Sequence, residues 1–163
     1  MSDGQLAIHR DIVRTRGNVQ GPFLAWLLSP GLAAPAQQLG AFCRYGTELS
    51  LEESEMLILC VAGHHDCAGE QEIHEPIALD AGLSPLVIAQ LRAGELPDLS
   101  SPRLKLLYRF AAELLSTHTV SDALFGEART IFSEKQLVEV VGLVGYYSLV
   151  AYTLNAFGLR SAG

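Results

Sequence analysis

Residues 67–85 read CAGEQEIHEPIALDAGLSP and concentrate a thiol, several acids and a histidine in a chain otherwise sparing with charge. The stretch predicts a helix over about 67–81, with Asp66 as its N-cap and Gly82 in the C-terminal glycine position. Pro76 lies inside this span and should kink the helix or split it in two. One predicted helix therefore carries the densest group of reactive side chains in the sequence.

The spacing within this stretch places three side chains on one helix face. Cys67, Glu70 and His74 occupy positions i, i+3 and i+7, which a helix aligns along one side; we call them the reactive face. Glu70 and His74 form an i,i+4 pair, a proton donor and an acceptor held at fixed separation, as acid–base catalysis requires. An exposed pair that stabilises the helix by a few tenths of a kcal/mol is the alternative. Glu72 and Glu75 lie off this face and are expected to be solvated.

An acid on the preceding helix is predicted to point inward. The capping box Ser50-Leu-Glu-Glu53 predicts a helix start, and Glu55 lies on the apolar stripe of that helix. Burying an unpaired carboxylate is costly, so Glu55 needs a partner or a raised pKa. It is therefore a candidate fourth member of the site, with a carboxylate satisfied by a neighbouring helix end as the alternative. Glu52 and Glu53 are expected to be solvated acids of the first turn.

The three cysteines stand at irregular spacing and do not make a disulfide framework, so a reducing cytoplasm is predicted. Cys67 lies at a helix N-terminus, whose dipole lowers a thiol pKa, whereas Asp66 and Glu70 raise it. It is therefore not predicted to be an activated thiolate. Cys43 and Cys60 lie in apolar surroundings and are expected to be small buried hydrophobic side chains.

Two histidines, His64 and His65, stand just before the predicted helix. Together with the reactive face they offer nitrogen, sulfur and oxygen ligands within a short span. No pair has a recognised zinc spacing such as HExxH or CxxC. Solvated loop histidines are the simpler interpretation, so neither a metal site nor a bound cofactor is predicted.

The composition bounds the class of protein. The 163 residues are enough for one domain and few for two. Hydrophobic residues make up 49% of the chain and charged residues only 18%, so some apolar surface is expected to be buried between subunits of a homo-oligomer. The net charge of −7 argues against a nucleic-acid partner. The start, MSDGQLAIHRD, lacks a basic stretch followed by an apolar run, so no secretory signal is predicted.

The remaining pattern is helical, without long windows of the alternation typical of strands, and predicts one all-α domain. Residues 140–159 carry no formal charge and are long enough to span a bilayer. Their polar side chains and glycines favour instead a helix buried on all sides, in the core or between subunits, and no membrane partner. A helix over about 32–46 is predicted to bury Leu39, Phe42 and Cys43. Further helices are predicted from Phe23 to Ser29, from Ser50 to Ala62 with Gly63 as its breaker, and from Ser84, Ser101, Ser121 and Ser133.

Three stretches resemble the carboxymuconolactone decarboxylase family, whose fold is that of the alkylhydroperoxidase D proteins. LSLEESEMLILCVAG is similar to the family's helix with an inward Glu, at the position of Glu55. The stretch 67–85 is similar to its signature helix, in which an acid or a thiol four residues before His leads into an HEP-A-GLS pattern. Residues 132–159 are similar to its C-terminal helix. The resemblance covers about 50–159 and implies an all-α, alkylhydroperoxidase D-like homo-oligomer.

The chain departs from both branches of that family. In the peroxidase branch the signature helix opens with CxxC; here the first position is Cys67 and the second is Glu70. Without a second thiol, the intramolecular disulfide chemistry of that branch cannot run. In the decarboxylase branch an acid precedes His by four residues and is usually followed by an aromatic residue, which is Gln71 here. The chain therefore matches the acid–His branch in its two polar residues and retains one thiol of the other.

The resemblance implies an enzyme that performs acid–base chemistry, of decarboxylase or lactone type, on a small carboxylated or lactone-like molecule. His74 would be the proton shuttle, Glu70 its orienting partner, Glu55 a second acid or a hydrogen-bond anchor, and Cys67 a residue lining the pocket. An alternative is a hydroperoxide-reducing antioxidant protein in which a Cys67 sulfenic acid is resolved by an external thiol reductant. A further alternative is a non-catalytic, ligand-binding oligomer.

Overall fold

Helices follow one another through residues 1–16 and 19–160, the part of the chain described by a computed structural model, and no strand lies in this part. In chain order they are α1 (Asp3–Arg16), α2 (Phe23–Trp26), α3 (Pro30–Tyr45), α4 (Leu51–His64), α5 (Ala68–Ala81), α6 (Pro85–Ala93), α7 (Pro102–Thr117), α8 (Asp122–Ala128) and α9 (Glu134–Phe157). The predicted all-α class is confirmed.

Serine residues begin five of these helices, as predicted. The hydroxyls of Ser50, Ser84, Ser101, Ser121 and Ser133 each accept a hydrogen bond from the backbone N–H three residues later. The first and the last of them complete a capping box, in which the side chain three residues on accepts from the serine's own N–H. Each bond satisfies a donor that the first helical turn leaves without a partner, which fixes the helix starts locally.

The junction between α4 and α5 differs from the prediction. Asp66 is not the N-cap of α5; it has a positive φ of 47°, and Cys67 occupies the N-cap position without a side-chain capping bond. The turn is short because α4 does not break at Gly63 but continues to His64. Asp66 therefore adopts the left-handed conformation that reverses the chain, and its carboxylate caps no helix.

Gly63 has a packing role rather than a helix-breaking one. A Cβ added at this position would lie 2.0 Å from the carbonyl oxygen of Leu91, which is closer than any real contact allows. The missing side chain thus lets α6 lie directly against the last turn of α4.

Pro76 does not split α5, which is continuous from Ala68 to Ala81. Proline removes its own N–H donor, but α5 packs against α4, α6 and α9, and these contacts stabilise the helix. Of the two predicted outcomes, a kink or a division, the division is wrong. Its C-terminal signal is right, since Gly82 takes the left-handed conformation with φ 114°.

The centre of the fold is α4, which packs against α5, α6, α7 and α9. Its residues 53–62 are all buried. Two of them are acids: Glu55 faces inward as predicted, whereas Glu53, expected in solvent, is 6% exposed and forms an ion pair with Arg103 of α7. A helix surrounded on most sides by others buries whatever side chains it carries, so even its first-turn acid needs a cationic partner.

The long apolar helix α9 is by length and composition able to cross a bilayer, but 61% of its most apolar window is buried inside the structure. It packs against α3 and α4, and the indole N–H of Trp26 donates to the hydroxyl of Thr153 at 3.0 Å. Val138 and Val141 are exposed, so the expectation of a helix covered on all sides is not met within one chain.

The outer side of α3 also differs from the prediction. Cys43 is buried, but Leu39 and Phe42, expected inside, are 45% and 46% exposed. They line an apolar depression of about 510 Å³ together with Val138 and Gly142 of α9. We call this depression the α3–α9 groove. An apolar helix position can face the core or an outer surface, and periodicity alone does not separate the two.

Candidate functional site

A buried histidine joins two helices at the centre of the site. His74 of α5 and Glu55 of α4 are 3% and 1% exposed, and the histidine Nδ1 lies 2.7 Å from the Glu55 Oε2. With Glu55 ionised, Nδ1 carries the proton and donates it in this hydrogen bond, which leaves Nε2 to act on the opposite side of the ring. The inward position of Glu55 predicted from the sequence is confirmed, and its partner is His74.

Glu70 lies on that opposite side. Its Oε2 is 3.4 Å from the His74 Nε2, one turn along α5, and the residue is 3% exposed. This oxygen has no hydrogen-bond partner within the described part of the chain. His74 thus lies between two carboxyl groups: it is hydrogen-bonded to Glu55, and its other nitrogen lies at a longer distance from Glu70.

Burial raises the pKa of the Glu70 carboxyl to about 7, and the nearby Glu55 carboxylate adds to the rise, while His74 and Arg44 oppose it. Removing a carboxylate from water disfavours its charged form, and a second carboxylate nearby does the same. Near neutral pH, Glu70 is therefore divided between the acid and the carboxylate. A group in this state can both donate and accept a proton.

A half-open cavity of about 260 Å³ lies against these two residues of α5. Its wall includes the segment 20–23 and side chains of α3, α5 and α9, among them Arg44, Tyr45, Glu70, His74, Tyr146 and Tyr147. The Tyr147 ring meets the His74 ring edge to face at 5.4 Å. A small molecule in this cavity would touch an acid of near-neutral pKa, an imidazole, a guanidinium and phenol side chains.

Cys67 is not part of the cavity wall. It is completely buried, and that burial raises the pKa of its thiol, as do the Glu70 and Asp66 carboxylates, while the nearby backbone N–H groups of Glu70 and Gly69 oppose the rise. The i, i+3, i+7 alignment with Glu70 and His74 requires helical geometry at all three positions. Cys67 is the N-cap, with φ −98° and ψ 89°, so its backbone is not helical and the predicted alignment does not extend to it.

The other two cysteines are buried as predicted. Burial raises the pKa of Cys60 to about 12 and that of Cys43 to about 11. A thiol with such a pKa carries almost no thiolate at neutral pH and is a poor nucleophile.

The two histidines before α5 lie away from the cavity. His64 is exposed, and the His65 Nε2 lies 3.1 Å from the hydroxyl oxygen of Ser148. Burial and the charge of His64 lower the pKa of His65. Within residues 1–16 and 19–160, no group of three or more His, Cys, Asp or Glu side chains is arranged to hold a metal ion.

Sequence reasoning missed the cavity residues contributed by other helices. Arg44 follows a buried cysteine and was not singled out, and it forms no ion pair with an acid in the described part of the chain. Tyr146 and Tyr147 belong to the uncharged part of α9, whose sequence predicts only buried core residues. Which side chains of distant helices meet at one cavity depends on the packing of those helices, and no local pattern encodes it.

No protein-family model matches this sequence, and no curated protein matches it. Solved structures do. A peroxidase-related protein of uncharacterised function from Silicibacter sp. TM1040 superposes with a TM-score of 0.81 at 15% identity, covering 99% of this chain and 86% of its own. An alkylhydroperoxidase AhpD core protein from Ralstonia eutropha JMP134, also described as peroxidase-related and uncharacterised, superposes with a TM-score of 0.81 at 20% identity, covering 99% and 87%.

This chain has the alkylhydroperoxidase D fold. The resemblance seen in the sequence is confirmed as a likeness of fold. A third structure with this fold is a cysteine-to-alanine variant of the debrominase Bmp8 in complex with 2,3,4-tribromopyrrole, with a TM-score of 0.76 at 13% identity, covering 96% of this chain and 84% of its own. The alkylhydroperoxidase D fold thus occurs in proteins described by different activities, and the reaction has to be argued from the site itself.

Proposed function

We propose that the protein is an enzyme that performs acid–base chemistry, of decarboxylase or lactone type, on a small carboxylated molecule. One observation carries the proposal: Glu70, whose pKa burial raises to about 7, lines the cavity and faces His74, whose far side is held by Glu55. A general acid or base works best when its pKa lies near the working pH.

Compared with the roles that the resemblance implies, this proposal changes mainly that of Glu70, which becomes the group that exchanges a proton with the substrate. Glu55 is the orienting group, because its 2.7 Å hydrogen bond fixes the ring and the tautomer of His74. Glu70 is the group that exchanges a proton with the substrate, because the residue lines the cavity. Its Oε2 is buried without a hydrogen-bond partner within residues 1–16 and 19–160 and lies beside the His74 Nε2. His74 is the relay, since its Nε2 lies near the Glu70 oxygen and can restore the proton after each transfer.

Arg44 supports a carboxylated substrate. It lines the cavity, and no carboxylate of the described residues lies within ion-pair distance of its guanidinium. A guanidinium can bind a carboxylate through two parallel hydrogen bonds and thereby orient an acidic molecule.

The substrate, Glu70 and His74 account for every electron pair and proton that moves in the proposed reaction. In a decarboxylation, the bond between carbon and the departing carboxylate breaks, carbon dioxide leaves, and the electron pair moves into an adjacent carbonyl to form an enolate. Protonated Glu70 then delivers its proton to the enolate carbon and becomes a carboxylate, which regains a proton through His74. The reverse proton movement, from a substrate carbon to ionised Glu70, uses the same groups.

Deuterium exchange tests this proposal before the natural substrate is known. The purified protein is incubated in heavy water with a panel of small keto, lactone and unsaturated carboxylic acids, and loss of carbon-bound protons and release of carbon dioxide are followed by NMR. We expect catalysed exchange or decarboxylation of at least one acid. Glu70→Gln should reduce the rate by about 10²- to 10⁴-fold, the usual contribution of a general acid or base.

Glu72→Gln is the matched control, since it makes the same chemical change two residues away at an exposed position of α5. It should leave the rate unchanged. Equal rates for the wild type and Glu70→Gln on every acid that is turned over would refute the role of Glu70.

Hydroperoxide reduction through Cys67 and an external thiol is the second candidate. It is favoured by the two structural neighbours described as peroxidase-related. Two features of the thiol oppose it: Cys67 lies outside the cavity wall, and burial raises its pKa. Peroxide attack needs an accessible thiolate, so acid–base chemistry is the better-supported function.

A further inference from the structure

Tyr147 has a hydroxyl whose purpose the proposed proton relay does not explain. The residue is 5% exposed and lines the cavity beside Glu70 and His74. Its ring makes edge-to-face contacts with two other rings. The distance between ring centroids is 5.4 Å to His74 and 5.2 Å to Tyr146. These contacts fix the ring and therefore the direction in which its hydroxyl points.

The hydroxyl itself makes no hydrogen bond to the described part of the chain. Within that part, the fully buried polar atoms without a partner are carboxylate oxygens of Glu55, Glu70 and Glu139, so the Tyr147 oxygen is open to the cavity that the residue lines. A rigid phenol that faces a cavity without a partner is in position to bond to whatever fills that cavity.

The phenol is also kept in its donating form. Burial raises the pKa of Tyr147, and the Glu70 carboxylate raises it further, while Arg44 opposes the rise. The group therefore remains protonated and can donate a hydrogen bond without giving its proton away. A neutral donor of this kind stabilises negative charge on a substrate oxygen in a site that excludes water.

We propose that Tyr147 donates a hydrogen bond to the substrate oxygen on which negative charge develops, with Arg44 as the second group that favours that charge. This inference rests on the proposed acid–base function and narrows its substrate class. The substrate would have a carbonyl or hydroxyl oxygen conjugated to the reacting carbon, so that the electron pair released in the reaction comes to rest on that oxygen. Tyr147 is then a catalytic residue that keeps its own proton throughout.

Two aromatic probe molecules that differ in one charged oxygen test this hydrogen bond by binding alone, without a reaction. 4-Nitrophenolate has a charged oxygen on a planar ring, and nitrobenzene has the same nitro-substituted ring without that oxygen. Binding of both to the full-length protein is measured by equilibrium dialysis. We expect the wild type to bind the phenolate more tightly than nitrobenzene. Tyr147→Phe should weaken phenolate binding about 10- to 100-fold, as expected for loss of a hydrogen bond to a charged group, and leave nitrobenzene binding unchanged.

Tyr152→Phe is the matched control, because it removes one hydroxyl from a tyrosine of the same helix, α9, that lies outside the cavity wall. It should change phenolate binding less than threefold, and thermal melting should show that both variants fold. Equal affinities of wild type and Tyr147→Phe for the phenolate, or a wild type without preference for phenolate over nitrobenzene, would overturn the assignment. Because dialysis needs no turnover, the oxyanion site can stand even if the deuterium-exchange experiment refutes the role of Glu70, and the two results are read separately.

Discussion

The cavity beside Glu70 and the α3–α9 groove both include side chains of α3 and α9, yet they differ in size and in the chemistry of their walls. The groove is about twice as large, at about 510 Å³ against about 260 Å³. Most of its wall is apolar, and its buried acid, Glu139, accepts a hydrogen bond from the backbone N–H of Glu48 at 2.7 Å. The cavity is smaller, but its acid lies 3.4 Å from an imidazole, and a guanidinium lines the same wall. Cavity size is therefore a poor guide to the reactive site here, and the chemistry of the wall is a better one.

Two of the buried acids, Glu55 and Glu139, show the same contrast. Both are nearly inaccessible, at 1% and 5% exposure, and both have one carboxylate oxygen without a hydrogen-bond partner in the described residues. Glu139 accepts a hydrogen bond from the backbone N–H of Glu48 and lies 3.8 Å from the ammonium group of Lys135, an exposed side chain. The partner of Glu55 is the buried imidazole of His74. A buried carboxylate anchors structure in the first case and controls a proton in the second.

The largest effect is expected at the relay itself. His74→Ala should lower the rate of deuterium exchange or decarboxylation by at least about 10²-fold, because it removes the imidazole that restores the Glu70 proton. NMR rates on the same acid panel measure the loss. Added free imidazole should restore part of the activity if the proton relay is the reason. A His74→Ala protein that folds and retains the wild-type rate would contradict the relay.

The groove should be the site at which subunits associate. We propose that the protein is a homo-oligomer in which the exposed apolar side chains of the α3–α9 groove are covered by a second copy. Val138→Glu would place a charge in that contact and should convert the oligomer to monomers at micromolar concentration, because burying an unpaired charge is costly. Light scattering gives the mass directly.

Leu96→Glu is a suitable control for this experiment, since Leu96 is 76% exposed in the connector before α7 and Val138 is 71% exposed. It should leave the mass unchanged. A wild type that is monomeric at micromolar concentration would show that the groove does not mediate association, and the difference between the two depressions would then need another explanation.

The third effect is on stability and depends on pH. The pKa of Glu70 is about 7 in the folded protein, against 4.5 for a glutamate in the unfolded chain. Between these pH values the folded chain therefore holds a proton that the unfolded chain has released. Stability from this group is therefore present below pH 4.5 and is lost as the pH rises through 7. The difference between the folded and unfolded pKa values of Glu70, about 7 against 4.5, corresponds to about 3 kcal/mol in the free energy of unfolding.

Urea unfolding of wild type and Glu70→Gln at a series of pH values measures this term, because the amide imitates the protonated acid at every pH. As the pH rises from 5 to 8, the free energy of unfolding of the variant should increase by up to about 3 kcal/mol relative to that of the wild type. Glu72→Gln, at an exposed position, should show no such trend. Parallel pH curves for wild type and Glu70→Gln would mean that burial does not perturb this carboxyl.

The sequence predicted those features that local interactions determine. The serine caps place five helix starts, and the apolar stripe of α4 shows that Glu55 points inward, because a helix phase relates near neighbours. The sequence prediction was wrong at Cys67. It assumed helical spacing at this residue, which lies one position before the first residue of α5. It also failed at Leu39 and Phe42, since an apolar position on an outer surface looks like a core position until the neighbouring helices are known.

The smallest effect is expected at Cys67, and it separates the two candidate functions. Cys67→Ser replaces a sulfur by an oxygen at a completely buried N-cap that lies outside the cavity wall. A serine hydroxyl is also a better N-cap than a thiol, so the start of α5 should be preserved. We therefore expect the rate on the acid panel to change by less than about threefold, which corresponds to a barrier change of under about 1 kcal/mol.

The same variant tests the hydroperoxide alternative. Peroxide turnover with an external thiol is measured for wild type and Cys67→Ser, with trapping of sulfenic acid at Cys67 in the wild type. We expect little turnover in either protein and little trapped sulfenic acid, because burial and the neighbouring carboxylates raise the pKa of the thiol and disfavour the thiolate that attacks peroxide. Robust wild-type turnover that disappears in Cys67→Ser would reverse the order of the two functions. It would also require Cys67 to become accessible through a movement of the turn between α4 and α5, since the thiol is completely buried in the folded chain.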